Sequence, residues 1–291
     1  MAAANRKRRS GNRSGGNRSG GNRSGGRHSR DNRSRDNRSG SRRSDGLDGT
    51  QVEGRQAVRE LLLAGRRRVR EVHLSTDSER SGIIEDILGL AAELRVPVRE
   101  VPRTKLDHIA RTDAPQGVVA ISDRLPATPL DELCREGPAG RPFLVALDGV
   151  TDPGNLGTLL RTAECAGATG AVLPRHRSAR ISPAVTKAAA GAVEHLAVSQ
   201  VAGLPAALEE MRAAGVWTVG LDAGGQVEVH DLELASESVC LVLGAEGRGL
   251  SRLVAQRCDL VASIPLHGHL ASLNVAAAGA IACYEVARRR G

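Results

Sequence analysis

The stretch SIPLHGHLASLNVAAAGA, residues 263–280, joins an apolar strand to a helix built largely of alanine. The connecting loop contains His267, His269, Ser272 and Asn274, and the helix after it begins without large side chains. In open α/β sheets, ligands bind beyond the carboxyl ends of the strands. This stretch therefore predicts a strand whose carboxyl end carries part of a ligand site.

The residues around this stretch alternate apolar strands with helices. We predict helices that begin near Asn155, Ser182 and Pro205, a last helix over 272–290, and strands at 143–150, 170–174, 216–222, 239–246 and 260–266. Near-continuous apolar runs of this kind are typical of parallel strands that are buried on both faces. Three loops at predicted strand ends are unusual in composition: 148–161, 244–251 and 264–274.

A second, smaller α/β pattern precedes this region. Residues 52–65 and 81–95 predict helices, a third short helix begins at Thr104, and strands are predicted at 70–75, 96–101 and 117–122. In the second helix one face holds Ile83, Ile84, Ile87, Leu88, Ala91 and Leu94. We therefore predict a small domain over 49–122, a proline-rich, charged linker over 123–141 and a larger domain over 142–291.

The first 48 residues differ from the rest of the chain. Residues 1–50 hold 14 of the 41 Lys and Arg residues and 4 of the 33 Asp and Glu residues, so the remainder is slightly acidic. GNRSG and RDNRS repeats fill this segment and leave it almost without apolar side chains, which predicts a disordered tail over 1–48. Such a tail favours sequence-tolerant contact with RNA phosphates, and a purely solubilising extension is the alternative.

Composition also limits the location and the chemistry. The chain has no apolar run of about 18 residues and no secretory signal, which excludes a predicted membrane span. Its five cysteines form no C-x-x-C pair, so we expect thiols that fill core space in a reducing cytoplasm: Cys134, Cys165, Cys240, Cys258 and Cys283. With only three aromatic residues, the stacking of RNA bases on rings is not expected to dominate binding.

The first two unusual loops carry candidate polar groups. In 148–161, Asn155 is a candidate helix N-cap, and the spacing of Arg161 and Glu164 allows an ion pair on that helix. In 244–251, three glycines are expected to let the backbone approach a ligand, with Glu246 inside the turn. The glycine spacing is G-x-x-G-x-G rather than G-x-G-x-x-G, which disfavours a nicotinamide-dependent oxidoreductase.

The third loop offers a helix cap and a weak metal pattern. Taken singly, Ser272 or Asn274 is a candidate N-cap of the last helix. His267 and His269 alternate, as two metal ligands on a strand would. No acidic residue or cysteine lies close to them in the sequence, so we predict no metal site.

Taken together, three segments resemble the ordered motifs of the SpoU family, the RNA ribose 2′-O-methyltransferases that use S-adenosyl-L-methionine (AdoMet). The segments are DGVTDPGNLGTLLRTAECAG (148–167), LVLGAEGRGLS (241–251) and SIPLHGHLASLNVAAAGAIACYE (263–285). KAAAGAVEH (187–195) resembles the connecting segment of the family. Residues 52–122 resemble its L30e-like RNA-binding domain. The subgroup that this chain resembles most methylates a guanosine of bacterial 23S rRNA.

The resemblance implies a fold that composition does not show. Members of this family thread the C-terminal segment through a loop to form a deep trefoil knot, a rare exception to unknotted topology. Gly279 and Ala276–Ala278 would permit the close backbone approach that threading requires. The resemblance also implies a homodimer whose site is completed across the subunit interface.

The resemblance further implies roles for named residues. AdoMet would be bound by Gly244, Glu246, Ile264, Leu266, Ser272 and Leu273. The functional polar positions of the family are matched by Asn155, Arg161, Glu246, Ser272 and Asn274. Proposals for the family make the residue at Arg161 the base. Because a guanidinium does not readily deprotonate, we expect Arg161 instead to orient the hydroxyl and stabilise the nascent alkoxide, with Glu164 or Glu246 setting its geometry.

Several functions remain open from the sequence. The leading one is methylation of a ribose 2′-hydroxyl of 23S rRNA. Within the same enzyme class, a tRNA methyltransferase and an antibiotic-resistance methyltransferase acting on another rRNA nucleotide are alternatives. In a different class, the chain would be a non-catalytic RNA-binding or ribosome-assembly factor, although such a protein would not need all five polar positions together.

Overall fold

A computed structural model describes residues 47–291 of the chain. The predicted disordered tail falls outside the described residues except at its last two positions. Leu47 is buried against the core of the larger domain, and its N–H donates to the carbonyl oxygen of Leu125 at 2.8 Å. The predicted disorder therefore does not extend to Leu47.

The small domain is a mixed sheet with three helices. Its elements are β1 (Gln51–Glu53), α1 (Arg55–Ala64), β2 (Val69–Ser75), α2 (Gly82–Glu93), β3 (Val98–Val101), α3 (Arg103–Ile109) and β4 (Val118–Ser122). The strand order is β1-β4-β2-β3, with β2 and β3 parallel and the other pairs antiparallel. All six predicted elements are present. β1 was not predicted: Val52 and Glu53 were assigned to the first helix, which begins only at Arg55, because three residues are too few for a periodic strand pattern.

The predicted apolar face of α2 is only partly correct. Ile84, Ile87 and Ala91 are buried, as expected for residues spaced three and four apart. Leu94 is 50% exposed because it follows the last helical residue and leaves the buried face.

The larger domain is built on a seven-stranded, entirely parallel sheet. Its elements are β5 (Phe143–Asp148), α5 (Pro153–Cys165), β6 (Gly170–Pro174), α6 (Pro183–Ala188), β7 (Ala197–Val201), α7 (Leu204–Ala213), β8 (Trp217–Leu221), β9 (Val227–Glu228), β10 (Val239–Gly244), α8 (Arg252–Arg257), β11 (Leu260–Ser263) and α9 (Val275–Arg290). The strand order is β7-β6-β5-β10-β8-β11-β9. The predicted parallel α/β class is confirmed.

Both faces of this sheet are covered, as the apolar strands predicted. Along β5, Phe143, Val145 and Leu147 point into the core beneath α5 and α9, while Leu144 and Ala146 point into the core beneath α7 and α8. β7, β9 and α8 were not predicted. In β7 the polar Ser199 and Gln200 interrupt the apolar run, although Ser199 is buried.

Residues 123–141, expected to be a linker, lie against the larger domain. They contain the short helix α4 (Leu130–Leu133), and Leu125, Leu130 and Leu133 are all buried among residues of the parallel sheet. The proline content hid this packing, because prolines here begin a helix and bound extended backbone rather than marking a free connection.

The alanine-rich start of α9 allows it to lie close to α5. A Cβ atom built at Gly279 would lie 2.2 Å from Leu159 Cδ2 and 3.1 Å from Leu243 Cδ1. Gly279 therefore packs closely against side chains of α5 and β10, and the threading for which this close approach was expected stays a prediction. Within residues 47–291, no helix is long and apolar enough to cross a bilayer.

Four of the five cysteines fill core space as expected. Cys134, Cys240 and Cys283 are buried and Cys258 is half-buried, whereas Cys165 is exposed at the end of α5. Burial raises the pKa of Cys134 to about 11 and that of Cys283 to about 12. Thiols with such pKa values hold almost no thiolate at neutral pH and are poor nucleophiles.

Candidate functional site

The site forms where the sheet order changes direction. From β5 the chain proceeds outward through β6 and β7, whereas the neighbour on the other side, β10, is added much later. Asp148 at the end of β5 lies opposite Gly244 at the end of β10. Such a switch point leaves a crevice at the carboxyl ends of the strands, which is the usual ligand position in open α/β sheets.

One polar side chain from each of the three unusual loops meets the others in this crevice. Asn155 Nδ2 donates to Glu246 Oε1 at 3.0 Å, and Asn274 Nδ2 donates to the same oxygen at 2.5 Å. Asn274 Nδ2 also lies 3.1 Å from Asn155 Oδ1. Residues 119 positions apart in the sequence thus form one hydrogen-bonded cluster, which we call the amide–carboxyl cluster (Asn155, Glu246 and Asn274).

Asn274 is also the N-cap of α9. Its Oδ1 accepts from the backbone N–H groups of Ala276 at 2.8 Å and Ala277 at 3.3 Å. The candidate cap is therefore confirmed for Asn274, and Ser272 lies before the helix. The Asn274 side chain thus caps the backbone N–H groups at the start of α9 and also donates to Glu246. The alanine-rich helix therefore fixes the position of the Glu246 carboxyl group.

The predicted capping role of Asn155 is wrong. The N-cap of α5 is Asp152, whose Oδ1 accepts from the backbone N–H of Asn155 at 2.7 Å. Pro153 occupies the first helical position, where its missing N–H costs nothing, so the helix begins two residues earlier than expected. This arrangement leaves the Asn155 side chain available to Glu246.

A cavity of about 410 Å³ opens beside the cluster. Its volume is within the range of roughly 300–1,000 Å³ typical of small-molecule sites. The structure brings every predicted cofactor-binding residue to its wall: Gly244, Glu246, Ile264, Leu266, Ser272 and Leu273. Leu221, Leu243 and Val275 add apolar surface, while backbone of 244–249 and 271–273 supplies polar groups.

The shape of the glycine-rich loop depends mainly on close backbone contacts within the loop. A Cβ atom at Gly244 would lie 2.2 Å from the carbonyl carbon of Gly249 and 2.4 Å from the backbone nitrogen of Leu250. Gly249 has φ +63°, and its Cβ would lie 2.5 Å from Asp222 Oδ2. These glycines let the loop fold back on the strand it leaves, and that fold forms one wall of the cavity.

Asp222 was not among the predicted site residues. This residue follows β8, the neighbour of β10, and lies in the wall of the cavity, where its Oδ1 accepts from the Gly224 N–H at 3.0 Å. It was predicted only as the last residue of a strand. The rule that ligands bind at carboxyl ends of parallel strands was the signal that could have found it.

A second cavity, of about 720 Å³, adjoins the first and shares Glu246, Arg248 and Gly249 with it. Its lining includes the cationic side chains of Arg177 and Arg248, neither of which the sequence singled out. Asp148 lies here too, but its Oδ2 accepts from the Ser251 N–H at 2.7 Å and so ties the first loop to the second.

Arg161 does not join the amide–carboxyl cluster of its own chain. It lies six residues beyond Asn155 on α5, about 9 Å along the helix axis, on an exposed strip with Thr158 and Cys165. It lines neither cavity and forms no ion pair with any residue of 47–291, so the expected pairing with Glu164 is absent there. Glu246, expected to orient Arg161, is bonded to the two asparagines instead.

The two histidines of the third loop, His267 and His269, are exposed. No group of three or more His, Cys, Asp or Glu side chains in the described part of the chain is arranged to hold a metal ion.

Two family matches cover most of the described residues. Residues 142–284 match the SpoU rRNA Methylase family, and residues 51–127 match the family described as RNA 2′-O ribose methyltransferase substrate binding. The chain is 36% identical over 247 residues to a Staphylococcus aureus protein named as a member of the TrmH family of tRNA/rRNA methyltransferases, covering 84% of this chain and 98% of that protein. YacO of Bacillus subtilis, of the same named family, is 36% identical over 82% of this chain and 95% of its own length.

Solved structures agree with these matches. The SpoU methyltransferase AviRb from Streptomyces viridochromogenes, in complex with AdoMet, superposes with a TM-score of 0.69 at 29% identity, over 82% of this chain and 89% of that chain. An AdoMet-bound rRNA methyltransferase from Sinorhizobium meliloti gives 0.68 at 30% identity, over 82% and 87%. The three meeting loops are the same segments that resemble the family's motifs. This chain is therefore a member of the SpoU, or TrmH-like, family of RNA methyltransferases.

Proposed function

We propose that this enzyme transfers a methyl group from AdoMet to a ribose 2′-hydroxyl of RNA, with a guanosine of 23S rRNA as its target. The observation that carries the proposal is the meeting of Asn155, Glu246 and Asn274 beside a cavity lined by all six candidate cofactor residues. A protein that only binds RNA has no need of this combination.

The cavity fits the proposed cofactor in size and in chemistry. Apolar side chains suit an adenine ring, the backbone amides of 244–249 can read its edge, and the carboxyl group of Asp222 can attract the cationic part of the molecule. When bound, AdoMet supplies an electrophilic methyl group on a positively charged sulfur.

We assign the RNA nucleotide to the neighbouring cavity of about 720 Å³. Arg177 and Arg248 there supply the positive charge that phosphate groups require. The two cavities share Glu246, so a ribose in one lies next to a methyl donor in the other. The amide–carboxyl cluster holds this shared wall in place, and in-line positioning of reacting atoms is a large part of such catalysis.

Arg161 would orient the 2′-hydroxyl and donate hydrogen bonds to its oxygen as negative charge develops. A guanidinium keeps its protons in proteins, so we do not assign Arg161 the role of base. The proton of the 2′-hydroxyl passes to solvent water as its oxygen gains the methyl group. Since Arg161 lies outside both cavities of its own chain, we propose that it serves the site of a second copy in a homodimer. Exposed apolar side chains in the third loop and on α9 support the pairing, Leu270 at 81% and Tyr284 at 55% exposure.

Subunit mixing tests this arrangement. A heterodimer of Arg161→Ala and Glu246→Ala chains, purified through two different tags, contains one site with both residues intact if Arg161 acts across the interface. We expect about half of the wild-type methylation rate, since one of two sites is whole, while each variant homodimer stays nearly inactive. A heterodimer as inactive as the two homodimers would show that Arg161 serves its own chain.

The deep trefoil knot remains a proposal for the fold. The parallel strand order and the close approach of Gly279 to Leu159 support it, since a threaded segment must lie tightly against its surroundings.

The RNA target is tested by mapping. We expect a strain lacking the gene to lose one 2′-O-methyl group, at a guanosine of 23S rRNA, and to regain it with the wild-type gene. Loss of a tRNA methyl group instead would replace the proposed target. The similar S. meliloti protein is named an rRNA methyltransferase, which supports an rRNA target. The name of the substrate-binding family supports RNA as the substrate class.

The arginine-rich N-terminal segment is proposed to contact RNA phosphates. Deleting residues 1–46 removes all of the excess positive charge and spares the buried Leu47. We expect unchanged AdoMet affinity, weaker RNA binding, and a slope of log affinity against log salt that is shallower by about 0.7–0.9 for each lost phosphate contact. Selectivity for the nucleotide should persist, because phosphate contacts do not read bases. An unchanged salt slope in filter-binding titrations would identify a passive extension.

A further inference from the structure

The segment KAAAGAVEHL, residues 187–196, has no part in either cavity. It runs from the end of α6 through a short turn to β7, and it lies against α1 and the loop after α1. We call it the docking segment. Through this segment the larger domain contacts the small, RNA-binding domain.

A buried ion pair crosses this junction. Arg67 of the small domain and Glu194 of the docking segment are 2% and 1% exposed. Arg67 Nε donates to Glu194 Oε2 at 3.0 Å, and Arg67 Nη2 donates to Glu194 Oε1. Arg67 Nη1 also donates to the carbonyl oxygen of Asp123 at 2.9 Å. The planar guanidinium is held on three sides, so its orientation is fixed.

Further contacts surround the pair. Arg66 Nη1 donates to the carbonyl oxygen of Leu196 at 2.9 Å, and His195 Nε2 lies 2.9 Å from Glu60 Oε2. Gly191 has φ +87°, and a Cβ atom there would lie 2.5 Å from Glu60 Cβ and 3.2 Å from Ala57 Cα. Helix α1 therefore rests directly on the backbone of the docking segment.

The physical role of such a pair is geometric rather than stabilising. Taking two charges out of water costs about as much as their attraction returns, and apolar replacements of both partners are often neutral for stability. Contacts between domains of one chain commonly permit relative motion. A buried bidentate pair favours one orientation, because a displacement leaves a charge buried without its partner.

We infer that Arg67 and Glu194 are positioning residues, a latch that sets how far and in which direction an RNA bound on the small domain reaches into the methyl-transfer cavities. This inference rests on the proposed function. If the domains are fixed, one nucleotide of a bound RNA lies at high effective concentration beside the methyl-transfer cavities. If the domains are loosely joined, many different nucleotides can reach these cavities.

The first test replaces both charges with similar volume, Arg67→Met with Glu194→Met. The control replaces an ion pair inside the small domain that does not touch the docking segment, Arg80→Met with Glu100→Met, whose Nη2–Oε1 distance is 3.5 Å. With one fluorophore on each domain, we expect the latch variant to show a broader distribution of interdomain distances. Its kcat/KM for the RNA substrate should be at least about tenfold lower, because misplacement of reacting groups by about 1 Å can lower a rate a hundredfold. Its AdoMet affinity should stay within about twofold of the wild-type value. The control variant should match the wild type in distance distribution, kcat/KM and AdoMet affinity.

The second test adds a methyl group between the two domains, and it remains informative if the double variant folds poorly. Gly191→Ala places a methyl group against α1, whereas Gly65→Ala makes the same change at φ +58° with no neighbour within 4 Å. We expect only Gly191→Ala to broaden the interdomain distances and to add methyl groups at nucleotides neighbouring the target.

The outcomes separate the latch from the proposed function. Unchanged distance distributions in both latch variants would overturn the latch, whatever the activity. Broadened distances with unchanged kcat/KM and an unchanged methylation site would overturn its positioning role. If the wild type methylates no RNA, the proposed function fails, and the distance measurement still decides whether the domains are held by this pair.

Discussion

Replacing Arg161 with alanine is expected to lower the rate of methyl transfer at least about a hundredfold, the scale for losing one preorganised stabiliser of developing charge. Arg161 lines neither cavity of its own chain, so AdoMet affinity should change little. Single-turnover methylation at saturating AdoMet, with calorimetric titration of AdoMet alongside, separates the two effects.

The conservative variant sharpens this prediction. Arg161→Lys keeps the positive charge but replaces a planar fork of donors with a single ammonium group, so recovery should be partial. Full recovery would show that only charge is needed. Near-normal turnover in Arg161→Ala would remove the assigned role altogether.

Replacing Gly244 with alanine is expected to weaken AdoMet binding at least about tenfold. The new Cβ would lie 2.2–2.4 Å from the backbone of Gly249 and Leu250, which cannot rotate away as a side chain could. Relieving this overlap moves the loop that carries Glu246, and forced overpacking costs about 1–3 kcal/mol. Calorimetry with AdoMet measures the loss, and thermal unfolding reports how much of the cost falls on the fold.

A second glycine near the same cavity provides the control. Gly268→Ala adds the same methyl group in the third loop, where nothing lies within 4 Å. It should bind AdoMet like the wild type. Equal affinity in the Gly244 and Gly268 variants would show that the close return of the glycine loop does not shape the cofactor cavity.

The parallel sheet was predictable because burial on both faces leaves continuous apolar runs such as 239–244. The meeting of Asn155, Glu246 and Asn274 was expected from three loops at strand ends and from the motifs in them. Local chemistry alone did not identify the cap of α5, since both Asp152 and Asn155 have capping side chains and only the position of Pro153 in the helix decides between them.

Features that depend on long-range packing were not readable in the sequence. Residues 123–141 carry the composition of a free connection, yet Leu125 and Leu130 are buried, because a partner surface exists only once the sheet has formed. The same is true of Arg67 and Glu194, which are ordinary charged residues in the sequence and lie 127 positions apart. Asp222 is a different case, because it ends a predicted strand and the rule that ligands bind at carboxyl ends of parallel strands could have singled it out.

The central claim is that a methyl group moves from AdoMet to a ribose 2′-oxygen of RNA, and product analysis tests it most directly. The purified protein is incubated with methyl-labelled AdoMet and, in separate reactions, with unmodified 23S rRNA or unmodified tRNA. One portion of each RNA is digested to nucleosides for mass spectrometry, and another is cleaved with alkali to locate the methylated position. We predict label on the ribose of guanosine, at a position where the backbone resists alkaline cleavage because the 2′-hydroxyl is blocked. Label on a base, or none on 23S rRNA or tRNA, would contradict the account.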